Sequence, residues 1–354
     1  MLIVNAATLQ VAVVVAFYMS AALVMVFVNK AVLNNSPNLP LSFLLLQLLI
    51  AVILLHASAL MSKRIEIPKF DTQTAKKLVP VVLVNVVGLV FNTLCLRAVE
   101  ASFFQIARGL VLPLTILVSS IHTRATPSQK VLLAATVVTF GFFIGVAPSK
   151  SLPASSTPSL LSLFYGVLSS LFIALHAVLI KSSLPHCNNS TIQLAWWTNF
   201  GSAIFLLPAV ILHGEFALFA NLVNDINWDG TVFIWGTLVT GFFGFLLCIA
   251  GLLSIKITSP ITHMFSSAAR SVLQTLLGVW IFHDILTVYR GVSILVILGG
   301  TMFYTWIKAQ TPPPPVRHAA EDLEARGIVE FVPLTLNDKL AQANDTSPGY
   351  SQEK

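Results

Sequence analysis

Long apolar segments are the feature that most constrains the fold of this 354-residue chain. A helix needs about 20 apolar residues to cross the hydrocarbon core of a bilayer, and ten stretches have about that length. They lie near residues 9–33, 40–61, 78–98, 100–121, 131–148, 159–181, 191–213, 231–254, 258–282 and 287–308. The sequence therefore predicts an all-α polytopic membrane protein with ten transmembrane helices.

Composition excludes several other classes of protein. Hydrophobic residues make up 56% of the chain and charged residues 10%, whereas soluble domains carry about 25% charged residues. The net charge of +6 is spread over short loops, which disfavours a nucleic-acid partner. The three cysteines, Cys95, Cys187 and Cys248, are far apart in sequence, which argues against a disulfide framework or a thiolate metal site. We expect no cofactor, no metal and a lipid bilayer as the surroundings.

The loop charges predict the orientation. The loop after the second span, residues 62–77, holds five basic residues, and its side of the membrane also carries Arg124, Lys130, Lys181 and Lys256. The opposite side carries mainly acids: Glu215, Asp225, Asp229 and Asp284. The positive-inside rule therefore places both termini in the cytosol. Residues 1–8 would form a short cytosolic N-terminus, and residues 309–354, which begin with a proline run, a disordered cytosolic tail.

Ten spans divide into two sets of five. An odd number of spans in each set gives the second set the opposite orientation, as in the inverted repeats of many transporters. We expect one repeat at 9–148, a lumenal linker at 149–158 and the second repeat at 159–308.

Two arginines within the apolar spans, Arg108 and Arg270, are the main candidates for a functional site. Helical rise places them about 12 Å and about 18 Å into the fourth and ninth spans, from opposite faces. The nearest acids, Glu100 and Asp284, stand at span ends. Intramembrane charge is costly and by default marks function, although pairing with carbonyls and helix ends is the alternative. The planar arginine fork suits phosphate, so the pair predicts a polyanionic substrate.

Seven further residues are weaker candidates. Asn92 and Asn199 would recognise a base or ribose, or else bond between helices. Ser266 and Ser267 would contact the substrate, or else allow close helix packing. Lys30, Lys256 and His263 would form a gate or an electrostatic funnel. Alternatively, Lys30 anchors its helix at the interface, Lys256 is an ordinary cytosolic loop charge, and His263 forms a local hydrogen bond.

Several motifs resemble one transporter family. The segments NKAVL (29–33), VFNTLCLRAVEASFFQIARGL (90–110), IKITSPITHMFSSAARSVLQTLLGV (255–279) and GGTMFYTW (299–306) are similar to the nucleotide-sugar and triose-phosphate transporter branch of the drug/metabolite transporter superfamily, closest to the GDP-fucose transporter group. The resemblance covers residues 10–308. The group usually carries Gly-Thr-Ala-Lys where this chain has Ser267–Arg270.

The resemblance implies a Golgi, or alternatively an endoplasmic reticulum, membrane antiporter. It would exchange a cytosolic nucleotide sugar, such as GDP-fucose, for a lumenal nucleoside monophosphate by alternating access. An organophosphate or sugar-phosphate exchanger and a non-transporting receptor or scaffold are the alternatives, and a homodimer is left open. A membrane transferase is disfavoured because the lumenal acids form no nucleophile or metal-ligand cluster.

Overall fold

Apolar helices dominate the computed structural model, which describes residues 6–62, 65–147, 158–225, 228–257 and 260–310. All the regular secondary structure in these ranges is helical. The helices are α1 (Ala6–Asn35), α2 (Pro40–Met61), α3 (Thr72–Ala98), α4 (Ala101–Ala107), α5 (Val111–Thr123), α6 (Gln129–Val146), α7 (Leu160–Ser183), α8 (Thr191–Leu212), α9 (Glu215–Val223), α10 (Gly230–Ile257), α11 (Pro260–Phe282) and α12 (Val288–Gln310). Short 3₁₀ turns follow α4 at Arg108–Leu110 and α7 at Leu184–Cys187.

Nine segments within the described ranges are long and apolar enough to cross a bilayer. They are Ala16–Asn35, Pro40–Met61, Thr72–Ala98, Ala101–Thr123, Gln129–Val146, Leu160–Ile180, Thr191–Leu212, Gly230–Leu247 and Val288–Gln310. This confirms the prediction of an all-α, multi-pass membrane protein. The remaining expected span, 258–282, coincides with α11, whose described apolar part is Arg270–Phe282. The count of ten stays a prediction. The expected tail falls almost wholly on residues outside the described ranges, and so does most of the 149–158 linker.

Short polar side chains cap the N-termini of four helices. Asp71 accepts hydrogen bonds from the amides of Gln73 (3.2 Å) and Thr74 (2.9 Å) at the start of α3. Ser128, Ser159 and Ser190 accept from amides in the first turns of α6, α7 and α8. These side chains satisfy amides that have no partner within the helix, so they fix where each helix begins.

The helix packing follows a regular pattern. Ten segments remain when α4 and α5 are counted as one and the short α9 is left out. In chain order, the first five segments correspond to the last five: α1 to α7, α2 to α8, α3 to α10, α4–α5 to α11, and α6 to α12. Helix α10 contacts α1 and α2, and its counterpart α3 contacts their counterparts, α7 and α8. Three corresponding pairs, α2–α8, α4–α11 and α6–α12, also contact each other. The two sets of five helices therefore use matching contacts.

One end of the bundle, called the acidic end below, holds the ends of α1, α3 and α11 and the starts of α2, α4 and α12. Fully buried Glu215 accepts hydrogen bonds there from the amides of Leu41 (3.1 Å) and Ser42 (2.6 Å), in the first turn of α2. Buried Lys30 donates to the carbonyls of Leu96, Arg97 and Val99 at the end of α3. Both charges therefore neutralise helix ends of opposite partial charge.

Candidate functional site around Arg108 and Arg270

The fourth span is broken at Arg108. Between α4 and α5, residues Arg108–Leu110 form a 3₁₀ turn in which the amide of Val111 donates to the carbonyl of Arg108. Pro113 explains the break, because proline has no amide hydrogen and its ring would clash with the carbonyl four residues earlier, that of Gly109. In the structure Pro113 lies in the first turn of α5, where no amide hydrogen is needed.

Helix α7 supports the break from one side. The 3₁₀ turn deprives the Ala107 carbonyl of its helical partner, and the fully buried Ser170 hydroxyl donates to it at 3.1 Å. Gly166 lets the helices approach closely, because a Cβ at this position would stand 2.9 Å from Cβ of Ala107. The backbone at Arg108 is thus held by a specific interhelical contact.

Helix α11 packs against α4 and brings Arg270 to the same region. The Gln105 side chain donates through Nε2 to Oγ of Ser271 at 2.5 Å. The Gln274 side chain donates through Nε2 to the Ala101 carbonyl at 3.2 Å. The guanidinium groups of Arg108 and Arg270 are close enough to repel each other. The structure therefore brings together the two arginines that the sequence predicted.

Each arginine lies over an aromatic ring. Cζ of Arg108 is 5.6 Å from the centroid of Phe104, and Cζ of Arg270 is 5.8 Å from the centroid of Tyr18. The ion pairs found in the described ranges join other residues, and Nε of Arg270 is buried without a hydrogen-bond partner. Ring faces hold the cations while leaving guanidinium edges available, so the arrangement suits an anion.

A cavity of about 170 Å³ lies among α1, α2, α3, α8 and α10. Its wall is mostly apolar, with polar groups from Gln47, Asn199 and Thr240. Gln47 donates to Asn29 (2.7 Å) and to Thr240 (2.6 Å), which ties three of the helices together. The lining, apolar with a few fixed amide and hydroxyl groups, is of the kind found in small-molecule sites, although those sites are usually larger, at about 300–1,000 Å³.

Helix α1 connects this cavity with the arginines. Tyr18 lies under Arg270, and Met25, seven residues later, lines the cavity. Seven residues are two helical turns, so both side chains lie on one face of α1, about 10 Å apart along its axis. An elongated ligand could therefore contact both places.

The other predicted site residues are placed as follows. Asn92 accepts from the Ser169 hydroxyl at 3.4 Å, and Asn199 donates to the Ala195 carbonyl at 2.7 Å while lining the cavity. Lys30 is 7% exposed and bound to the end of α3. Whether these three residues act on a substrate stays a prediction.

Four predicted residues fall where side chains are outside the described part of the structure. They are Lys256 on α10 and His263, Ser266 and Ser267 on α11. Their expected roles remain predictions.

Sequence reasoning missed Tyr18, Phe104, Gln105 and Gln274. The signal for three of them was spacing: Phe104 and Gln105 precede Arg108 by four and three residues, and Gln274 follows Arg270 by four, so each shares a face with its arginine. The signal for the helix break was the proline itself, Pro113. Tyr18 had no such signal, because its partner is distant in sequence.

The acidic end is closed by contacts between the two sets of helices. Arg290 on α12 pairs with Glu100, which precedes α4, and donates to the Ile285 carbonyl at 2.8 Å. Asp284, in the loop before α12, accepts from the amide of Ser102 at 2.8 Å. The pKa of the Asp284 carboxyl is raised above its usual range, mainly because burial disfavours the charged form. The hydrogen bond from Ser102 opposes this shift, and the nearby Glu100 charge adds to it.

Comparison with known proteins agrees with this architecture. Residues 9–305 match the Triose-phosphate Transporter family. The chain is 31% identical over 310 residues to "GDP-fucose transporter 1" of Mus musculus, covering 85% of this chain and 84% of that protein. It is 30% identical over 304 residues to "GDP-fucose transporter 1" of Dictyostelium discoideum (83% and 80%) and 27% identical over 311 residues to "GDP-fucose transporter, Golgi" of Drosophila melanogaster (85% and 90%). This chain belongs to the Triose-phosphate Transporter family.

Proposed function

We propose that this protein carries a nucleotide sugar across the Golgi membrane in exchange for a nucleoside monophosphate. The observation that carries the proposal is the pair of neighbouring arginines, Arg108 and Arg270, each over an aromatic ring and neither in an ion pair with a described carboxylate. Two neighbouring cations in an apolar bundle are stabilised by an anion with more than one negative charge. The diphosphate of a nucleotide sugar has that charge.

The proposed substrate includes a base because the cavity offers a place for one. Its apolar wall would accept the ring, and Gln47, Asn199 and Thr240 would meet the polar edge of the base or the ribose. The names of the relatives favour a GDP-sugar such as GDP-fucose, and one of those names gives the Golgi.

The proposed architecture is ten spans in two inverted repeats, 9–148 and 159–308, with both termini cytosolic. The matching helix contacts of the two sets of five support the repeats. The concentration of basic residues in the loops opposite the acidic end supports the orientation, since cytosolic loops are enriched in lysine and arginine. The acidic end would then face the lumen.

The proposed cycle is alternating access. The closed acidic end and the cavity beyond it fit a state in which the lumenal side is shut. The nucleotide sugar would enter from the cytosol, the two repeats would rock, and the monophosphate would return on the same arginines. An empty carrier would reorient slowly, because its two cations would be enclosed in the apolar interior without an anion.

The test is uptake of labelled GDP-fucose into liposomes that contain the purified protein. We expect rapid uptake when the liposomes are preloaded with GMP and little uptake when they are empty. Equal uptake without preloading would contradict exchange.

Competition distinguishes the alternatives in the same assay. Inhibition by triose phosphate, with no effect of GMP, would favour an organophosphate exchanger. Absence of transport for every nucleotide sugar and sugar phosphate would favour a receptor or scaffold.

A further inference from the structure

We propose that Gln105 and Gln274 are positioning residues that fix the separation of the Arg108 and Arg270 guanidinium groups, so that the site favours two linked phosphates over one. This inference rests on the proposed function. It concerns two side chains outside the arginine pair itself.

The two glutamines join the helices that carry the arginines. Gln105, one turn before Arg108, donates to Ser271, the residue next to Arg270. Gln274, one turn after Arg270, donates to the Ala101 carbonyl at the start of α4. Gln105 therefore lies just before Arg108 in the fourth span and bonds to the helix of Arg270. Gln274 shares α11 with Arg270 and bonds to the start of the fourth span.

Burial makes these bonds effective. Gln274 is 3% exposed and Ser271 is 9% exposed, whereas Gln105 is half-buried, so water competes least for the bond of Gln274. Buried amide groups without a partner are costly, which favours one alignment of α4 with α11 over neighbouring alignments. Other rotations of the helices would break one or both bonds.

A fixed alignment matters because the guanidinium groups repel each other. Without the two bonds, the empty site would relax by moving α4 and α11 apart. With them, the cations are held ready for a ligand that reaches both, and this preorganisation raises affinity. A diphosphate can contact both arginines, whereas a monophosphate contacts one at a time and is less sensitive to their separation.

The test compares GDP and GMP binding, measured by thermal shift, in Gln105→Met, Ser271→Ala and the double variant. Methionine keeps the length of glutamine and removes the hydrogen bond, so the fold should persist. We expect Gln105→Met to weaken GDP binding about fivefold and GMP binding less than twofold. The loss of GDP affinity in the double variant should be smaller than the sum of the losses in the two single variants, because both changes remove the bond between Gln105 and Ser271. Gln274→Met should lower the preference for GDP in the same direction.

Asn85→Leu is the matched control. Asn85 donates to the Ser202 hydroxyl at 3.0 Å, so it also joins two helices through an amide and a hydroxyl, but on α3 and α8. We expect it to lower thermal stability and to leave the preference for GDP unchanged. An equal loss of the preference for GDP over GMP in Asn85→Leu would overturn the inference. So would a Gln105–Ser271 double variant that is non-additive in the stability of the empty protein but additive in GDP affinity.

The inference and the proposed function fail differently. If wild-type protein binds neither nucleotide, or if Arg270→Gln binds them as well as wild type, both are overturned. If the arginine variant loses binding while Gln105→Met and Gln274→Met keep the wild-type preference, only the positioning role is overturned.

Discussion

Aromatic rings take the place of acids beside the two arginines. A cation–π contact contributes about 0.5–2 kcal/mol, and the contacts of Arg108 and Arg270 are at 5.6 and 5.8 Å. The cost of placing a single arginine at the bilayer centre is about 2.5–3.5 kcal/mol on the most lenient scale. The rings therefore stabilise the arginines only in part, and a bound anion would supply the rest.

The first prediction concerns the charge and shape of residue 270. Arg270→Gln should reduce exchange about 30-fold, because it removes charge-assisted hydrogen bonds to phosphate. Arg270→Lys should reduce exchange less than tenfold, since the charge remains. The GDP-fucose transporter group, which this chain resembles, usually carries lysine at this position. Initial rates of GMP-driven uptake measure both. Equal loss in the two variants would mean that the fork, and not the charge, is required.

The break in the fourth span is the element that places Arg108. Pro113 prevents a continuous α-helix, the 3₁₀ turn separates α4 from α5, and Ser170 satisfies the freed carbonyl of Ala107. In an unbroken helix the side chain of Arg108 would point in a different direction relative to α11. The orientation of this cation is therefore set by a residue five positions further along the chain.

The second prediction is that Pro113→Ala weakens nucleotide binding without lowering stability. Alanine restores the amide hydrogen that a continuous helix needs, and alanine is favoured over proline inside a helix by about 3 kcal/mol. We expect an unchanged or higher unfolding temperature together with lower GDP affinity. A parallel loss of stability and affinity would show that Pro113 supports packing rather than the direction of Arg108.

At the scale of the whole molecule, the acidic end holds the two sets of helices together. Glu215 caps α2, Asp284 caps α4 and Glu100 pairs with Arg290, and each of these contacts joins a residue before 148 to one after 158. Acids that were scattered in sequence thus meet helix ends in space. Opening this end would require several of these contacts to break together.

The third prediction is a pH dependence that arises from Asp284. Burial raises its pKa, so between the ordinary carboxyl value of about 4 and the raised value the folded protein binds more protons than the unfolded protein. Stability should therefore fall as the pH rises through this interval. Asp284→Asn keeps an acceptor for the Ser102 amide without titrating, so its unfolding temperature should depend less on pH. An identical profile for wild type and variant would exclude Asp284 as the source.

The sequence by itself determined the approximate limits of most helices, because an apolar run of sufficient length has few stable alternatives in a membrane. The predicted span 40–61 coincides with Pro40–Met61. The span 78–98 began six residues late, because the polar start of α3 at Thr72 lies outside the apolar run and depends on the Asp71 cap. The short helix α9 was missed for lack of length.

Only the tertiary structure decided how the candidate site is assembled. That Arg108 and Arg270 are neighbours, that Tyr18 lies under one of them, and that Lys30 is bound to the end of α3 all depend on contacts between residues distant in sequence. Hydropathy specifies that a helix spans the membrane but not its rotation or its neighbours. Those follow from close packing at positions such as Gly166 and from the pairing of buried polar groups, which the folded chain satisfies only as a whole.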